Sequence, residues 1–235
     1  VAIAAALVPL MALCCSCDER DGAFPPVTPA PGATTALGPP APATSPPSTA
    51  PPASGNYVFP VRSPNVGYAH THAGYPATDI IARCGVPVVA PTDGTVTEVR
   101  RVDRWDPRHD NPALRGGESV TMIGTDGVRY YGSHLQNIRD DLTPGTAVLA
   151  GEALAEVGQT GDARLSTCHL HLGISPPCPG TEWEVRRGVV YPWPYLDAWR
   201  EGKSLSPAFA VAAWTTTHPN ACAEAMALPT AADSG

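Results

Sequence analysis

The chain of 235 residues has almost no lysine: Lys203 is the single one, and arginine supplies nearly all the positive charge. It also lacks any surplus of positive charge. The formal net charge is −7, which excludes the cationic face that phosphate binding requires, so no nucleic acid partner is expected. The N-terminal apolar run, "VAIAAALVPLMALCCSC" at residues 1–17, falls short of the roughly 20 residues that span a bilayer as a helix. The four scattered cysteines, Cys84, Cys168, Cys178 and Cys222, contain no C-x-x-C pair. No cysteine zinc knuckle is therefore expected among these four.

What the chain does have is proline, 28 residues of it, unevenly spread. Residues 1–17 suit the apolar core of a signal peptide without its basic leader. Within them "CCSC" resembles a lipoprotein box, with Ser16 before an acylated Cys17. A lipoprotein, a cleaved secretory signal and an uncleaved anchor remain open, and all three place the domain outside the cytoplasm. Residues 18–55 are rich in Pro, Ala, Ser and Thr. Such a stretch buries too little to offset its ordering entropy and is expected to be a solvated, largely polyproline-II tether, with a reach on the order of 100 Å.

From residue 56 the pattern changes to short β-like runs, among them "TDIIA", "GTVTEVR", "SVTMIG", "GVRYYGSHL" and "HLHLGIS". Their β-branched and aromatic content, broken by "TDG" turns, predicts an all-β fold: an antiparallel sheet or sandwich with long loops over residues 56–205. Residues 103–117 read as one such loop. "YLDAWREGK" (195–203) reads as one short C-terminal helix, and residues 206–235 as a poorly structured tail.

Five of the seven histidines lie in three short segments of this domain: His70 and His72, His134, and His169 with His171. On a strand, residues i and i+2 share a face roughly 7 Å apart, so His169 and His171 project together while Leu170 and Leu172 turn the other way. An isolated H-x-H is most often two unrelated strand histidines. Zinc is the common organiser of a buried pair, and His and Asp are preferred ligands, which brings in Asp79. His109 and His218 sit in a polar loop and in the tail and read as solvated.

The ordered motifs, a histidine before "TDI", then "GVPVVAPTDGTVTEV", "YYGSHL", "GEALAEVGQTG" and "CHLHLGIS", resemble the lysostaphin/LytM-type zinc metallopeptidases, which cut peptide bonds in bacterial peptidoglycan. The resemblance covers residues 57–175. The following stretch is similar to that of actinobacterial members. The resemblance implies His72, Asp79 and His171 as zinc ligands, with His134 and His169 as the two catalytic histidines that do not bind metal. Which of those two is the general base stays open. One departure concerns the first ligand: the family spacing is H-x-x-x-D, whereas six residues separate His72 from Asp79. Gly74 and Pro76 allow those residues to loop out, and His70 is the competing choice.

Two histidines and one carboxylate leave a fourth position open to water, the pattern of a catalytic site. The resemblance therefore implies an exported zinc endopeptidase, a monomer, working by a zinc-activated water on peptidoglycan stem peptides or cross-links, with membrane anchoring through a lipidated Cys17 as one route to the cell envelope. The alternative is a non-catalytic cell-wall-binding or amidase-activating relative, a type that typically loses zinc ligands. A biotin- or lipoate-carrier module, hinted at by "PTDGTVTEV", needs a modifiable lysine in a hairpin, and Lys203 is misplaced for that. Among the cysteines, a Cys168–Cys178 bridge with Cys84–Cys222 holding the tail is one of three pairings.

Overall fold

A computed structural model of the chain describes residues 56–229. The segments expected to be a signal (1–17) and a tether (18–55), the lipidation expected at Cys17, and residues 230–235 lie outside the described residues. Nine strands follow one another: β1 (Thr78–Ile81), β2 (Pro87–Val89), β3 (Gly94–Arg100), β4 (Ser119–Gly124), β5 (Arg129–Ser133), β6 (Leu135–Gln136), β7 (Ala147–Val148), β8 (Ala153–Val157) and β9 (His169–Ser175). They form a six-stranded sheet in the order β1-β9-β5-β4-β3-β7 and a three-stranded sheet in the order β2-β8-β6. The pairings are antiparallel, so the all-β antiparallel reading holds.

Alternation builds the core. Leu170, Leu172 and Ile174 of β9 join Val96, Met122 and Tyr130 from the same sheet, and Val88, Ala155, Val157 and Leu135 from the other, in one buried cluster. Each large side chain fully withdrawn from water contributes about 1.5–3 kcal/mol. The "TDG" turn at 125–127 joins β4 to β5, and Gly127 takes a left-handed φ of 74° there. The buried Asp126 carboxylate accepts hydrogen bonds from Tyr57, Tyr130 and Ser206 at 2.8, 2.8 and 3.0 Å. The start of the domain, a hairpin and the C-terminal region are thereby tied at one point.

The C-terminal region differs from expectation. Among the described residues three α-helices stand where one was expected: α1 (Trp193–Arg200), α2 (Ala208–Thr217) and α3 (Ala221–Met226). The first covers the predicted helix; the others occupy what was expected to be a poorly structured tail. In α2, "AFAVAAWTTT", apolar residues go all the way round, so no apolar stripe announces a helix. Alanine supplies the propensity, and Ala208 and Val211 supply the buried contacts. The hydroxyls of Thr215 and Thr216 donate to carbonyls four residues back, a local bond that satisfies them within the helix at a small cost to it.

The disulfides also correct the expected pairing. Cys84 joins Cys168, and Cys178 joins Cys222. Nearness in sequence made Cys168–Cys178 plausible, but the β1–β9 ladder brings the chain after β1 alongside the chain before β9. Cys178 is left to reach α3.

Candidate active site

Strand register assembles the site. Asp79 of β1 lies opposite His171 of β9, and Ile81 opposite His169. On the other flank Ser133 of β5 lies opposite His171. The next residue, His134, has a left-handed φ of 62°, uncommon for a residue other than glycine and a form of strain that collects at functional sites. The turn brings its ring centroid to 4.7 Å from that of His169. The remaining member arrives on the long loop before β1. Gly74 adopts φ of 86°, and the loop returns His72 Nε2 to 3.6 Å from Asp79 Oδ2. His70 goes elsewhere: it stacks on Trp193 at 4.1 Å and lies 3.2 Å from Asp197.

Four histidines each meet a backbone carbonyl. His72 Nδ1 contacts Tyr75 O at 3.1 Å, His134 Nδ1 contacts Thr160 O at 2.9 Å, His169 Nδ1 contacts Thr167 O at 2.7 Å, and His171 Nε2 contacts Arg187 O at 2.9 Å. A carbonyl only accepts, so each of these nitrogens must carry the proton. That fixes Nε2 as the bare nitrogen of His72, His134 and His169, and Nδ1 as that of His171. His171 Nδ1 lies 2.9 Å from Asp79 Oδ1. Two acceptors at that distance need either a second proton on the ring or a cation shared between them. The metal-ligating atoms of His72, Asp79 and His171 all lie within 4.8 Å of one another, and carbonyl-anchored imidazoles are the usual outer support of a metal ligand. The donor set of two imidazoles and a carboxylate fits zinc.

Burial and neighbours set the protonation states. His134 is pushed down to about 3 by burial, with His171 and His169 adding to the effect. His72 is lowered by burial and then by His171. Burial alone would raise Asp79, but the hydrogen bond and charge of His171, with His169 and His72, bring it to about 2. Between pH 6.5 and about 3 the unfolded chain binds a proton at position 134 that the folded chain refuses. Stability of the metal-free protein therefore rises with pH across that window and is lost as pH falls through it. Asp79 adds its own loss lower down, as pH falls from 3.8 towards about 2. His134→Gln should flatten the dependence of melting temperature on pH between 4 and 6.5 in chelator, and a slope equal to wild type would contradict this account.

The polar face of β9 is itself covered, which explains why all seven of its residues are buried. Residues 182–188 form the cover. Glu182 Oε2 accepts the backbone N–H of Val185 at 2.9 Å and of Arg186 at 3.2 Å, while its other oxygen lies 2.6 Å from Arg129 Nη1. Arg129 Nε in turn donates to Ser175 at 2.9 Å. Gly173 permits the close approach, since a Cβ there would stand 2.5 Å from Arg187 O and 2.9 Å from Arg186 O. Gly173→Ala should lift this segment and pull the carbonyl from His171. We expect metal affinity to fall about 10–100-fold, in titrations against a chromogenic chelator, with the sheet retained.

All five residues singled out by sequence, His72, Asp79, His134, His169 and His171, line one cleft. Tyr75, Arg115, Tyr131, Asp162, Trp183, Arg186 and Arg187 line it too, and sequence reasoning did not place them there. Asp162 stands 3.8 Å from His134 Nε2, and its carboxyl is raised by burial.

Residues 72–181 match the model of peptidase family M23. That segment is therefore similar to the peptidase domains of this family. Among solved structures, a candidate glycyl-glycine endopeptidase LytM from Ruminococcus gnavus is 26% identical, with TM-score 0.49, over 63% of this chain and 62% of its own, so the chain spans about three fifths of its length. The catalytic domain of lysostaphin, an antimicrobial peptidase from Staphylococcus simulans, is 22% identical, with TM-score 0.43, over 57% of this chain and 93% of its own. A zinc-containing peptidase from Vibrio cholerae is 23% identical, with TM-score 0.37, over 57% and 35%. No curated protein matches the chain.

Proposed function

We propose that the chain is an exported zinc metalloendopeptidase that hydrolyses peptide bonds in peptidoglycan stem peptides or cross-links. The observation that carries this reading is the convergence of His72, Asp79 and His171 donor atoms within 4.8 Å, beside two further histidines whose bare nitrogens are fixed by backbone carbonyls. Zinc held there would supply Lewis-acid polarisation of the scissile carbonyl and a water made acidic enough to attack at neutral pH. The protein's own part is proton handling and charge stabilisation. His134 and His169, 4.7 Å apart between ring centroids, each present a bare Nε2: one takes the proton from the attacking water, and the imidazolium so formed can then donate to the developing oxyanion.

Two disulfides within the domain favour an oxidising compartment, in keeping with the N-terminal reading of a signal or a lipidated Cys17. No helix among the described residues is long and apolar enough to cross a membrane. The non-catalytic alternative, a cell-wall-binding or amidase-activating protein, is disfavoured by the complete donor set. Zinc analysis combined with release of soluble fragments from purified sacculi tests the proposal. About one zinc per chain with release supports it; zinc without release favours the non-catalytic reading.

A further inference from the structure

We infer that the Arg187 guanidinium selects substrates carrying a free carboxylate close to the scissile bond. This rests on the peptidase reading above and narrows its substrate class.

Three arginines line the cleft, and two are already neutralised. Arg115 closes on Asp110 through both Nε and Nη2. Arg186 is buried, paired with Glu98, and lies over the Tyr131 ring at 5.0 Å. Arg187 differs. Among the described residues its one ion-pair neighbour is Glu184 at 3.6 Å, on a partly exposed side chain, and its buried Nε has no hydrogen-bond partner there. The guanidinium lies over Tyr75 at 4.1 Å and near Trp183 at 4.9 Å. Ring contacts occupy the faces of the plane and leave the N–H edge for an acceptor in that plane, the geometry in which guanidinium grips a carboxylate.

Position ties this cation to the chemistry. The backbone carbonyl of Arg187 accepts from His171 at 2.9 Å, and the Tyr75 ring beneath the guanidinium is 5.8 Å from the His171 ring. With the guanidinium 4.1 Å from the Tyr75 ring and that ring 5.8 Å from His171, a carboxylate on Arg187 lies within about three residues' length of the His171 end of the site, at roughly 3.4 Å per extended residue. A neutral peptide would leave the Arg187 edge unpaired. Arg187 lies beyond the matched segment 72–181, so this determinant belongs to the C-terminal extension. The carboxylate has two sources in a stem peptide, the C-terminal α-carboxylate or one on the side chain of an acidic or diamino acid.

The test uses the zinc-loaded full chain on native sacculi and on sacculi whose carboxylates have been converted to carboxamides with carbodiimide and ammonia. Wild type should release fragments from native sacculi at least about tenfold faster, the discrimination that one charge-assisted hydrogen bond supplies. Arg187→Gln should abolish the difference through KM, while Arg187→Lys restores part of it. Synthetic cross-link peptides amidated at either the C-terminus or the side chain identify the source, by which amide slows cleavage. Equal wild-type rates on native and amidated wall overturn the inference and leave the peptidase reading standing. Hydrolysis of neither overturns both.

Discussion

Replacing His171 by alanine is expected to remove metal binding and peptidoglycan hydrolysis together. The side chain is buried in the middle of β9, its Nδ1 2.9 Å from Asp79 and its Nε2 2.9 Å from Arg187 O. Alanine leaves Asp79 and His72 as two donors where three converge, and it orphans the Arg187 carbonyl. Changing an outer supporting residue costs about 10–100-fold in metal affinity, and removal of a ligand should exceed that. Zinc content after dialysis and turbidity loss of sacculi are the readouts, with circular dichroism to confirm the sheet. Full hydrolysis by purified His171→Ala would sink the assignment.

His169→Ala should behave in the opposite way, although it sits two residues away on the same strand. Its Nε2 is 3.9 Å from Asp79 Oδ1, and it lies outside the His72–Asp79–His171 donor cluster. Zinc should remain bound while turnover falls about 10²–10⁴-fold, the range for losing a positioned proton-transfer group. His134→Ala should show the same split. If either variant loses its metal in parallel with activity, the division into ligands and proton-handling residues is wrong.

Much of this site was legible because β structure writes its faces into the sequence. His169-x-His171 with leucines between declares one polar and one apolar face, and the fold delivers that face to Asp79 and His134. The loop 182–188 was not legible. Its role depends on Glu182 meeting Arg129 and on Gly173 admitting Arg187 O, contacts between residues far apart in the chain with no periodic signature. The C-terminal helices escaped for another reason: α2 lacks a polar face, so helical spacing and loose composition look alike. The disulfide pairing was misjudged because proximity along the chain stood in for proximity in space.

The bond between Cys84 and Cys168 has a consequence beyond holding two loops together. β1 is four residues long and, among the described residues, pairs with β9 on one side and meets only an isolated bridge from Gly67 on the other. Sliding it by one residue would swing Asp79 into the apolar interior. Sliding it by two would keep the face but carry the carboxylate about 7 Å from its place. Few hydrogen bonds separate these arrangements in energy. A covalent tie shortly after Asp79 and shortly before His169, with Cα atoms 5.4 Å apart, removes both competitors. Oxidation thus acts as a proofreading step, admitting the one alignment in which the carboxylate can share a cation with the imidazoles.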